Sequence, residues 1–428
     1  MRIKNFLPLK DKNIVVIATG SIAAVKTPLL VSQLIKSGAQ VKCIASPSAS
    51  KLVSPLSLST LSRNSCYQDE DQWDPKASKP LHISLAEWAE LIVVAPLSAS
   101  SLSRWVNGLA EGLAASLLIA CEKPIIAASA MNTGMWQNKA VQKNWQILKE
   151  YPNVITLDPG EGLLACDRLG EGRMANQEII ELAIENALTQ FKKASYFKRD
   201  LEGLKFLVTA GPTMEDIDAT RFLSNRSSGK MGVFLGQAAR FRGANVDLIH
   251  GPLQIPSTFL EGLTSYQAKS ANDMKKIIAE LQSQANAIAM TAAIVDLRKK
   301  NGPEKGKLSK ENLLHSINDT FEVVPDLLSE IVARRSENQI ILGFTALTGT
   351  DAEIQHLGKI KKASKGCDLL MANPIDRNNQ GLESNSNGGW LLGPNANIKL
   401  MPVNSKLTLA NQLLDELKAL LGNRFATK

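Results

Sequence analysis

The chain has 428 residues, a length that at roughly 150 residues per domain predicts two or three domains. Hydrophobic residues make up 44% and charged residues 21%, a globular composition that excludes a disordered or fibrous protein. The 49 lysines and arginines exceed the 41 acidic residues, giving a net charge of +8, so we expect anionic partners. Only 5% of the residues are aromatic, which argues against nucleic acid, because nucleic-acid sites interleave basic residues with stacking aromatics.

The cysteines and the apolar segments indicate the compartment. The five cysteines are widely spaced and never form a CxxC pair, which argues against a disulfide framework or a cysteine-rich zinc site. The apolar runs are shorter than the roughly 18 residues that cross a bilayer. The first twelve residues also lack the apolar stretch of a signal peptide. We therefore expect a soluble, cytoplasmic protein without a membrane partner.

The first half of the chain alternates between strand-like and helix-like segments. A helix is predicted at KTPLLVSQLIKSG, and an amphipathic helix with Ile180, Ile184, Ala187 and Leu188 on one face closes this half. Continuous apolar runs of strand length predict parallel strands covered on both faces. These runs are NIVVIATG, VKCIAS, ELIVVAP, KPIIAASA and NVITL.

A polar, charged stretch at residues 191–204 predicts a linker between a domain at 1–190 and one at 205–428. The second half again contains a helix, GVFLGQAARFRG, and ends on a helix with Ala410, Leu413, Leu414, Leu417 and Leu421 on one stripe. Its strand candidates are FLVTAGPT, NVDLIHG, AIAMTAAIV, QIILGFTAL and CDLLMAN. The predicted fold class is α/β, with two tandem Rossmann-like, doubly wound parallel-sheet domains whose ligands lie at the carboxyl ends of the strands.

One loop rich in small residues follows the first strand of each half. Residues 20–24 contain one glycine where the dinucleotide motif GxGxxG needs three, so NAD has little support. Residues 227–230 resemble part of a P-loop, but Ser224 and Met231 stand where that motif needs glycine and Ser or Thr. Both loops still allow backbone N–H groups at a helix start to approach a phosphate.

The motifs of the first half occur in a specific order: GSIAAVK, the histidine of LHISLAEWAE, APLSAS, AMNTGMW and LLACDRLGEGRM. This series resembles the flavin-dependent cysteine decarboxylases that act on phosphopantothenoylcysteine. The resemblance implies a flavodoxin-like domain in which FMN oxidises the substrate thiol and so supplies the electron sink for loss of CO2.

The resemblance also assigns roles to residues of the first half. His82 matches an active-site histidine that helps to remove a proton as the thiol is oxidised. Asn132 would hold the substrate carboxylate through its amide, and Cys166, on a glycine-rich flap, would donate the proton that completes the reaction. The FMN-binding candidates are Gly20, Ser21, Ser46, Ala95, Pro96 and Ser98.

The motifs of the second half are TAGPT, RFLSNRSSGKMG, AAIVD, PEKGK, VPDLL, GFTAL and CDLLMAN, and they resemble phosphopantothenate–cysteine ligases. The resemblance implies that CTP and 4′-phosphopantothenate form an acyl-cytidylate, and that the amine of cysteine then displaces CMP. Mg²⁺ and lysines would stabilise the phosphoryl charge. Lys305 and Asn225 are the catalytic candidates, where Asn225 matches an asparagine tied to consumption of the acyl-cytidylate, and no metal ligand is assigned. The CTP-binding candidates are Thr291, Ala292, Asp296, Lys305, Pro325, Asp326, Leu327, Leu328, Phe344, Lys361 and Lys365.

Both series in one chain resemble the bifunctional enzymes of coenzyme A biosynthesis, over about residues 12 to 420. The expected partners are small molecules, namely 4′-phosphopantothenate, cysteine, CTP and 4′-phosphopantothenoylcysteine. Flavin sites of this family lie between subunits, so a homo-oligomer is expected. Two alternatives remain open: a flavin-binding regulatory protein that has kept the fold, and an NAD(P)-dependent tandem α/β reductase.

The chain departs from the family pattern at several positions. They bear chiefly on nucleotide selectivity and rate in the second half. Residues 1–199 carry a net charge of +5 and residues 200–428 one of +3, but within the second half residues 298–310 carry +5 and residues 359–365 add four lysines. This focusing predicts a site for a small polyanion rather than a nucleic-acid face. The departures are Val25, Glu111, Gly112, Ser129, Leu308, Leu347 and Asn385.

Overall fold

The computed structural model describes residues 7–191, 199–313 and 320–426, with side chains described up to residue 422. It divides into two compact units, Met1–Lys198 and Arg199–Lys428. Residues 192–198, half of the predicted linker, lie outside the described residues. At the start of the second unit, the N–H of Leu201 donates to the carbonyl of Arg242 (3.0 Å), and Leu201 is buried.

The first unit is built on a parallel sheet with the spatial order β3-β2-β1-β4-β5-β6 among its described residues. All seven residues of the central strand β4 are buried, as its continuous apolar sequence predicts. The five strands predicted from apolar runs are therefore confirmed. The strands are β1 (Asn13–Ala18), β2 (Gln40–Ala45), β3 (Cys66–Tyr67), β4 (Leu91–Leu97), β5 (Ile125–Ser129) and β6 (Val154–Leu157).

Helices cover this sheet, and a small hairpin stands beside it. One core layer contains Leu85, Leu102, Leu117 and Trp145, each from a different helix. The hairpin pairs β7 (Gly160–Leu163) with β8 (Leu169–Arg173) in antiparallel fashion. The helices are α1 (Thr27–Lys36), α2 (Pro55–Ser62), α3 (Leu81–Trp88), α4 (Ala99–Val106), α5 (Leu113–Ala120), α6 (Thr133–Trp136), α7 (Lys139–Lys149) and α8 (Gln177–Phe191).

The second unit is built on a larger sheet with the spatial order β13-β12-β9-β14-β17-β18-β19-β20 among its described residues. Strands from β13 to β18 in this order are parallel, whereas β19 and β20 are antiparallel. The strands are β9 (Lys205–Ala210), β10 (Met214–Asp216), β11 (Phe222–Ser224), β12 (Asn245–His250), β13 (Thr264–Gln267), β14 (Ala287–Met290), β15 (Leu297–Lys299), β16 (Phe321–Val323), β17 (Ile340–Leu347), β18 (Leu369–Pro374), β19 (Ser386–Leu392) and β20 (Ile398–Ser405).

Two short antiparallel pairs, β10–β11 and β15–β16, lie outside this sheet. The last helix buries its predicted stripe: Ala410, Leu413, Leu414 and Leu417 are fully buried. The α/β class with parallel sheets is thus confirmed, and no described helix is long and apolar enough to span a membrane. The helices of this unit are α9 (Lys230–Phe241), α10 (Ala271–Leu281), α11 (Leu327–Ala333), α12 (Asp351–Lys365) and α13 (Lys406–Ala426).

Candidate active sites

The loops after three neighbouring strands of the first unit form one rim. Gly20 follows β1 and packs closely against Ser48 in the loop after β2. A Cβ on Gly20 would lie 2.7 Å from the Ser48 Cβ. The hydroxyl of Ser21 accepts from the N–H of Ala23 (3.4 Å) at the start of the short helix that leads into α1. The N–H of Ser46 donates to the carbonyl of Ala18 (3.0 Å). The predicted residues Gly20, Ser21 and Ser46 are thus brought to one edge of the sheet.

A buried threonine ties this rim to the end of β4. The hydroxyl of Thr19 donates to the carbonyl of Pro96 (2.8 Å) and accepts from the N–H of Ser98 (2.8 Å). The hydroxyl of Thr27 donates to the carbonyl of Ala95 (2.8 Å). The structure therefore places Ala95, Pro96 and Ser98 beside the loop after β1. The sequence analysis missed both threonines, although each is a polar residue within or just after an apolar run.

Asn132 and Cys166 come from distant parts of the chain and meet in the structure. The Asn132 amide nitrogen donates to the Cys166 thiol at 3.3 Å, and its carbonyl oxygen accepts from the N–H of Gly134 at 2.9 Å. Both residues are exposed. Because Asn132 caps α6, its amide is held in one orientation toward the thiol.

Two glycines explain how the hairpin carrying Cys166 packs against the Asn132 loop. The N–H of Met131 donates to the carbonyl of Gly172 (3.1 Å). Gly172 has a φ of +152°, and a Cβ there would lie 2.1 Å from the Met131 carbonyl oxygen. A Cβ on Gly170 would lie 2.5 Å from the hydroxyl of Thr133. The glycine-rich sequence thus permits close docking of the hairpin in addition to the predicted flap role.

His82 is the second residue of α3 and is half-buried. Among the described residues, no hydrogen bond joins the His82 imidazole to Asn132 or Cys166. The structure of the single chain therefore brings together two of the three predicted catalytic residues of the first unit.

The second unit contains a cavity of about 660 Å³ at the carboxyl ends of its central strands. Of the residues assigned to CTP or to catalysis in this half, Lys305 alone does not line it; it lies on an exposed segment after β15. The predicted residues in the cavity wall are Asn225, Thr291, Ala292, Asp296, Pro325, Asp326, Leu327, Leu328, Phe344, Lys361 and Lys365.

Hydrogen bonds hold two of the predicted lining residues, Asp326 and Asn225, in place. Asp326 caps α11, accepting from the N–H groups of Leu328 (3.2 Å) and Ser329 (3.3 Å), and it forms an ion pair with Lys365. Desolvation opposes ionisation of Asp326, but the hydrogen bonds from Lys365 and Ser329 outweigh it and lower the pKa of the carboxyl. Across the cavity, the Asn225 amide donates to the carbonyl of Ile294 (2.8 Å).

Two further lysines in the cavity wall were missed by the sequence analysis. Lys406 is only 2% exposed and donates to the carbonyl of Leu382 at 2.9 Å. Burial and the nearby charge of Lys230 lower the pKa of Lys406 to about 8. Burial also lowers the pKa of Lys230, whose ammonium donates to the amide oxygen of Asn385. Neither lysine forms an ion pair with a carboxylate within the described parts of the chain.

The sequence contains a weak indication that Lys406 is buried, because it is the one charged residue in the segment VNSKLTLANQLL. Lys230 lies within the quoted SSGKMG motif but received no role. The sequence also assigned no metal ligands. In the residues that the structure describes, no group of three or more His, Cys, Asp or Glu side chains is arranged to hold a metal ion.

Comparison with known proteins gives the family. Residues 5–188 match the family model described as Flavoprotein, and residues 201–421 match the DNA/pantothenate metabolism flavoprotein C-terminal domain. The coenzyme A biosynthesis bifunctional protein CoaBC of Bacillus subtilis (strain 168) is 33% identical over 413 residues, covering 96% of this chain and 98% of that protein.

Two solved structures are similar to part of this chain. A PPC decarboxylase mutant complexed with pantothenoylaminoethenethiol is 30% identical, with a TM-score of 0.39, and covers 41% of this chain and 97% of its own. The FMN-dependent cysteine decarboxylase SpaF is 25% identical, with a TM-score of 0.37, and covers 42% and 96%. Because the match to the curated relative spans nearly the whole of both chains, the predicted family is confirmed: this chain belongs to the bifunctional coenzyme A biosynthesis proteins.

Proposed function

We propose that this chain performs two consecutive steps of coenzyme A biosynthesis. The second unit joins 4′-phosphopantothenate to cysteine at the expense of CTP, and the first unit decarboxylates 4′-phosphopantothenoylcysteine to 4′-phosphopantetheine with FMN. The observation that carries the proposal is the presence of both constellations in one chain. The first is the Asn132–Cys166 contact, and the second is the cavity lined by Asn225 and the nucleotide candidates.

The rim of the first unit fits a flavin mononucleotide. Gly20 leaves the loop after β1 without a side chain, and the hydroxyls of Ser21 and Ser46 are donors of the kind that bind a phosphate. The Thr19 hydrogen bonds hold Ala95, Pro96 and Ser98 beside this loop, where they can contact a ring. When bound, FMN supplies the electron sink that lets the cysteine carboxylate leave as CO2.

The residues of the first unit have complementary tasks. The Asn132 amide is a neutral donor, so it can orient the substrate carboxylate without stabilising its charge against CO2 release. The exposed Cys166 thiol, held by that amide, can donate a proton to the carbon that has lost CO2. His82 can accept the proton of the substrate thiol. We propose a homo-oligomer in which a second copy completes the site, because the flavin sites of the family that this chain resembles lie between subunits.

The second unit activates a carboxylate, which is by itself a poor acylating group. The carboxylate of 4′-phosphopantothenate attacks the α-phosphorus of CTP, pyrophosphate leaves, and the amine of cysteine then attacks the acyl carbon and displaces CMP. The lysines in the cavity wall, together with Lys305, stabilise the charge on the phosphoryl oxygens. Mg²⁺ commonly binds one or two carboxylates together with substrate phosphates, and Asp296 in the wall can supply one.

The proposal is tested with the purified chain, 4′-phosphopantothenate, cysteine, Mg²⁺ and each nucleoside triphosphate in turn. We expect bound FMN to be released on denaturation, and CMP, CO2 and 4′-phosphopantetheine to appear in equal amounts with CTP. Bound FMN with neither CMP nor CO2 would instead support the flavin-binding regulatory protein. CMP without CO2 would contradict the proposed role of the first unit.

A further inference from the structure

The segment that carries Lys305 is bound on both sides of this residue to the turn between β10 and β11. Before Lys305, the N–H of Glu304 donates to the carbonyl of Ile217 (3.0 Å). After it, the N–H of Leu308 donates to the carboxylate of Asp218 at 3.1 Å. Residues 304–308, which we name the Lys305 tip, are thus clamped at both ends by two adjacent residues of the turn.

Asp218 is the centre of this clamp. It is 3% exposed, and one of its carboxylate oxygens accepts from the N–H groups of Thr220 (2.8 Å) and Arg221 (2.9 Å) and from the Thr220 hydroxyl (2.9 Å). The other oxygen accepts from Leu308 and from the Arg221 guanidinium (3.1 Å), which also donates to the Leu308 carbonyl (3.4 Å). One oxygen therefore shapes the turn, and the other binds the tip.

The same turn leads directly into the cavity wall. Strand β11 follows the turn, and Asn225, next after that strand, lines the cavity and bonds to the carbonyl of Ile294. On the other side, Asp296 lines the cavity immediately before β15, which precedes the tip. Asp218 therefore connects the turn before β11 with the tip after β15. Each of these two strands has a cavity-lining residue directly beside it.

We propose that Asp218 is a positioning residue of the ligase site, which holds the Lys305 tip in a fixed place relative to Asn225. The inference rests on the proposed function, in which Lys305 stabilises the phosphoryl charge when the acyl-cytidylate forms. A carboxylate suits this task because it accepts several N–H bonds at once. An asparagine at 218 would place an NH2 group where one of the two carboxylate oxygens now accepts hydrogen bonds. The donors on that side would lose their acceptor.

The first test measures the clamp itself and does not depend on activity. The tip and the residues after it contain lysines 305, 307 and 310, which trypsin recognises. Cleavage of a native protein tracks the population of the open form when opening is fast. We expect Asp218→Asn to raise the rate of cleavage at these lysines about tenfold or more. The matched control is Asp216→Asn on β10, which removes an ion pair with Lys269 and should leave cleavage unchanged.

The second test separates the two half-reactions. In Asp218→Asn, release of pyrophosphate from CTP and 4′-phosphopantothenate should fall about tenfold or more. Conversion of supplied acyl-cytidylate by cysteine should stay within about twofold of the unaltered chain, because the contact of Asn225 with Ile294 is retained. A merely structural role would slow both half-reactions alike, and that result would overturn the proposal. Cleavage and pyrophosphate release equal to those of Asp216→Asn would overturn it as well.

A second variant covers the case in which Asp218→Asn does not fold. Leu308→Pro removes the N–H that Asp218 accepts and leaves the carboxylate in place. It should give the same rise in cleavage at Lys305 and Lys310, because trypsin does not cut a Lys–Pro bond such as that after Lys307, and the same selective loss of pyrophosphate release. If the unaltered chain releases no pyrophosphate, the proposed function fails, whereas the trypsin comparison still decides whether Asp218 holds the tip.

Discussion

Cys166 lies at an exposed turn, yet its thiol has a defined partner in the Asn132 amide. We predict that Cys166→Ser slows formation of 4′-phosphopantetheine by about 100-fold or more, because a hydroxyl is a far weaker proton donor than a thiol. CO2 should still be released, since it leaves before this proton is needed. The products are followed by mass spectrometry. Asp167→Asn, a neighbouring change in the same turn, serves as the control, and unaltered product formation by Cys166→Ser would refute the donor role.

Lys406 gives the stability of the second unit a definite pH dependence. Burial lowers the pKa of Lys406 to about 8 in the folded chain, below the value of roughly 10.4 expected when unfolded. The charged form therefore costs stability at pH 7, and this cost is relieved as the pH rises from 8 toward 10. Relative to Lys406→Met, the unaltered chain should gain about 1 kcal/mol between pH 7 and pH 9.

Urea unfolding of both proteins at the two pH values measures this difference. The comparison with Lys406→Met removes the contributions of the titrating groups that do not interact with Lys406, because these are shared. The effect of Lys230, whose charge lies near Lys406, is part of the measured difference. A stability difference that does not change with pH would show that Lys406 keeps its charge in the folded chain.

At the scale of single residues, sequence reasoning found the motif residues and missed those that act through tertiary contacts. Asn132 and Cys166 were predicted from their motifs, but their hydrogen bond depends on the docking of a hairpin that the apolar pattern does not show. Lys406 was missed because a lysine at a helix start is normally solvated, and only the fold reveals its burial. Asp218 was missed because its partner Leu308 lies 90 residues away.

Among the elements, the buried parallel strands were predictable and the polar strands were not. Strand β4 is an unbroken apolar run, whereas β19 contains Gly388 and Gly389, and β20 contains Pro402. Glycine and proline are turn signals, and proline is tolerated in β20 because it is the last strand of the sheet. The sequence therefore contains no pattern that predicts β19 and β20, the antiparallel strands that extend the second sheet.

A departure from the family pattern in the first unit has a compensation that only the fold reveals. Gly112 precedes α5 with a φ of +84°, and a Cβ there would lie 2.6 Å from the Asp69 carboxylate. That carboxylate accepts from the N–H of Leu113 at 2.9 Å. Asp69 thus caps α5 from 44 residues away. The family pattern instead has an acid or amide at the position of Gly112, directly before this helix.

Helices α9 and α13 are joined by a buried charge. Arg242 is 1% exposed and forms ion pairs with Asp200 (2.8 Å) and Asp415 (2.9 Å). We predict that Arg242→Met lowers the free energy of unfolding by about 3 kcal/mol, because it leaves the partly buried carboxylates of Asp200 and Asp415 without their buried guanidinium partner. Urea unfolding measures the change.

The control for this prediction is an exposed ion pair on the same helix. Lys399 pairs with Glu416 of α13 and is more than half exposed, so Lys399→Met should cost less than about 1 kcal/mol. Equal losses for the two variants would contradict the argument that burial makes the Arg242 network important.

At the scale of the whole molecule, several lysines of the second unit cluster at its cavity. Lys361 and Lys365 of the basic stretch on α12 line the cavity, as do Lys230 and Lys406. The second basic stretch contains the Lys305 tip. Residues 200–428 contribute only +3 of the net charge of +8, yet their clustered lysines surround a cavity of about 660 Å³, a size typical of small-molecule sites.

Each unit has its own sheet, its own core and its own set of candidate residues, so the two activities should be separable by mutation. We predict that Lys305→Gln reduces pyrophosphate and CMP release about 100-fold or more, because a neutral amide cannot stabilise the phosphoryl charge. Release of CO2 from supplied 4′-phosphopantothenoylcysteine should be unchanged, since the residues of that step belong to the first unit. Lys310→Gln, which removes an exposed lysine five residues away, is the matched control. Equal loss of both activities in Lys305→Gln would contradict the independence of the units, and retention of both would contradict the role of Lys305.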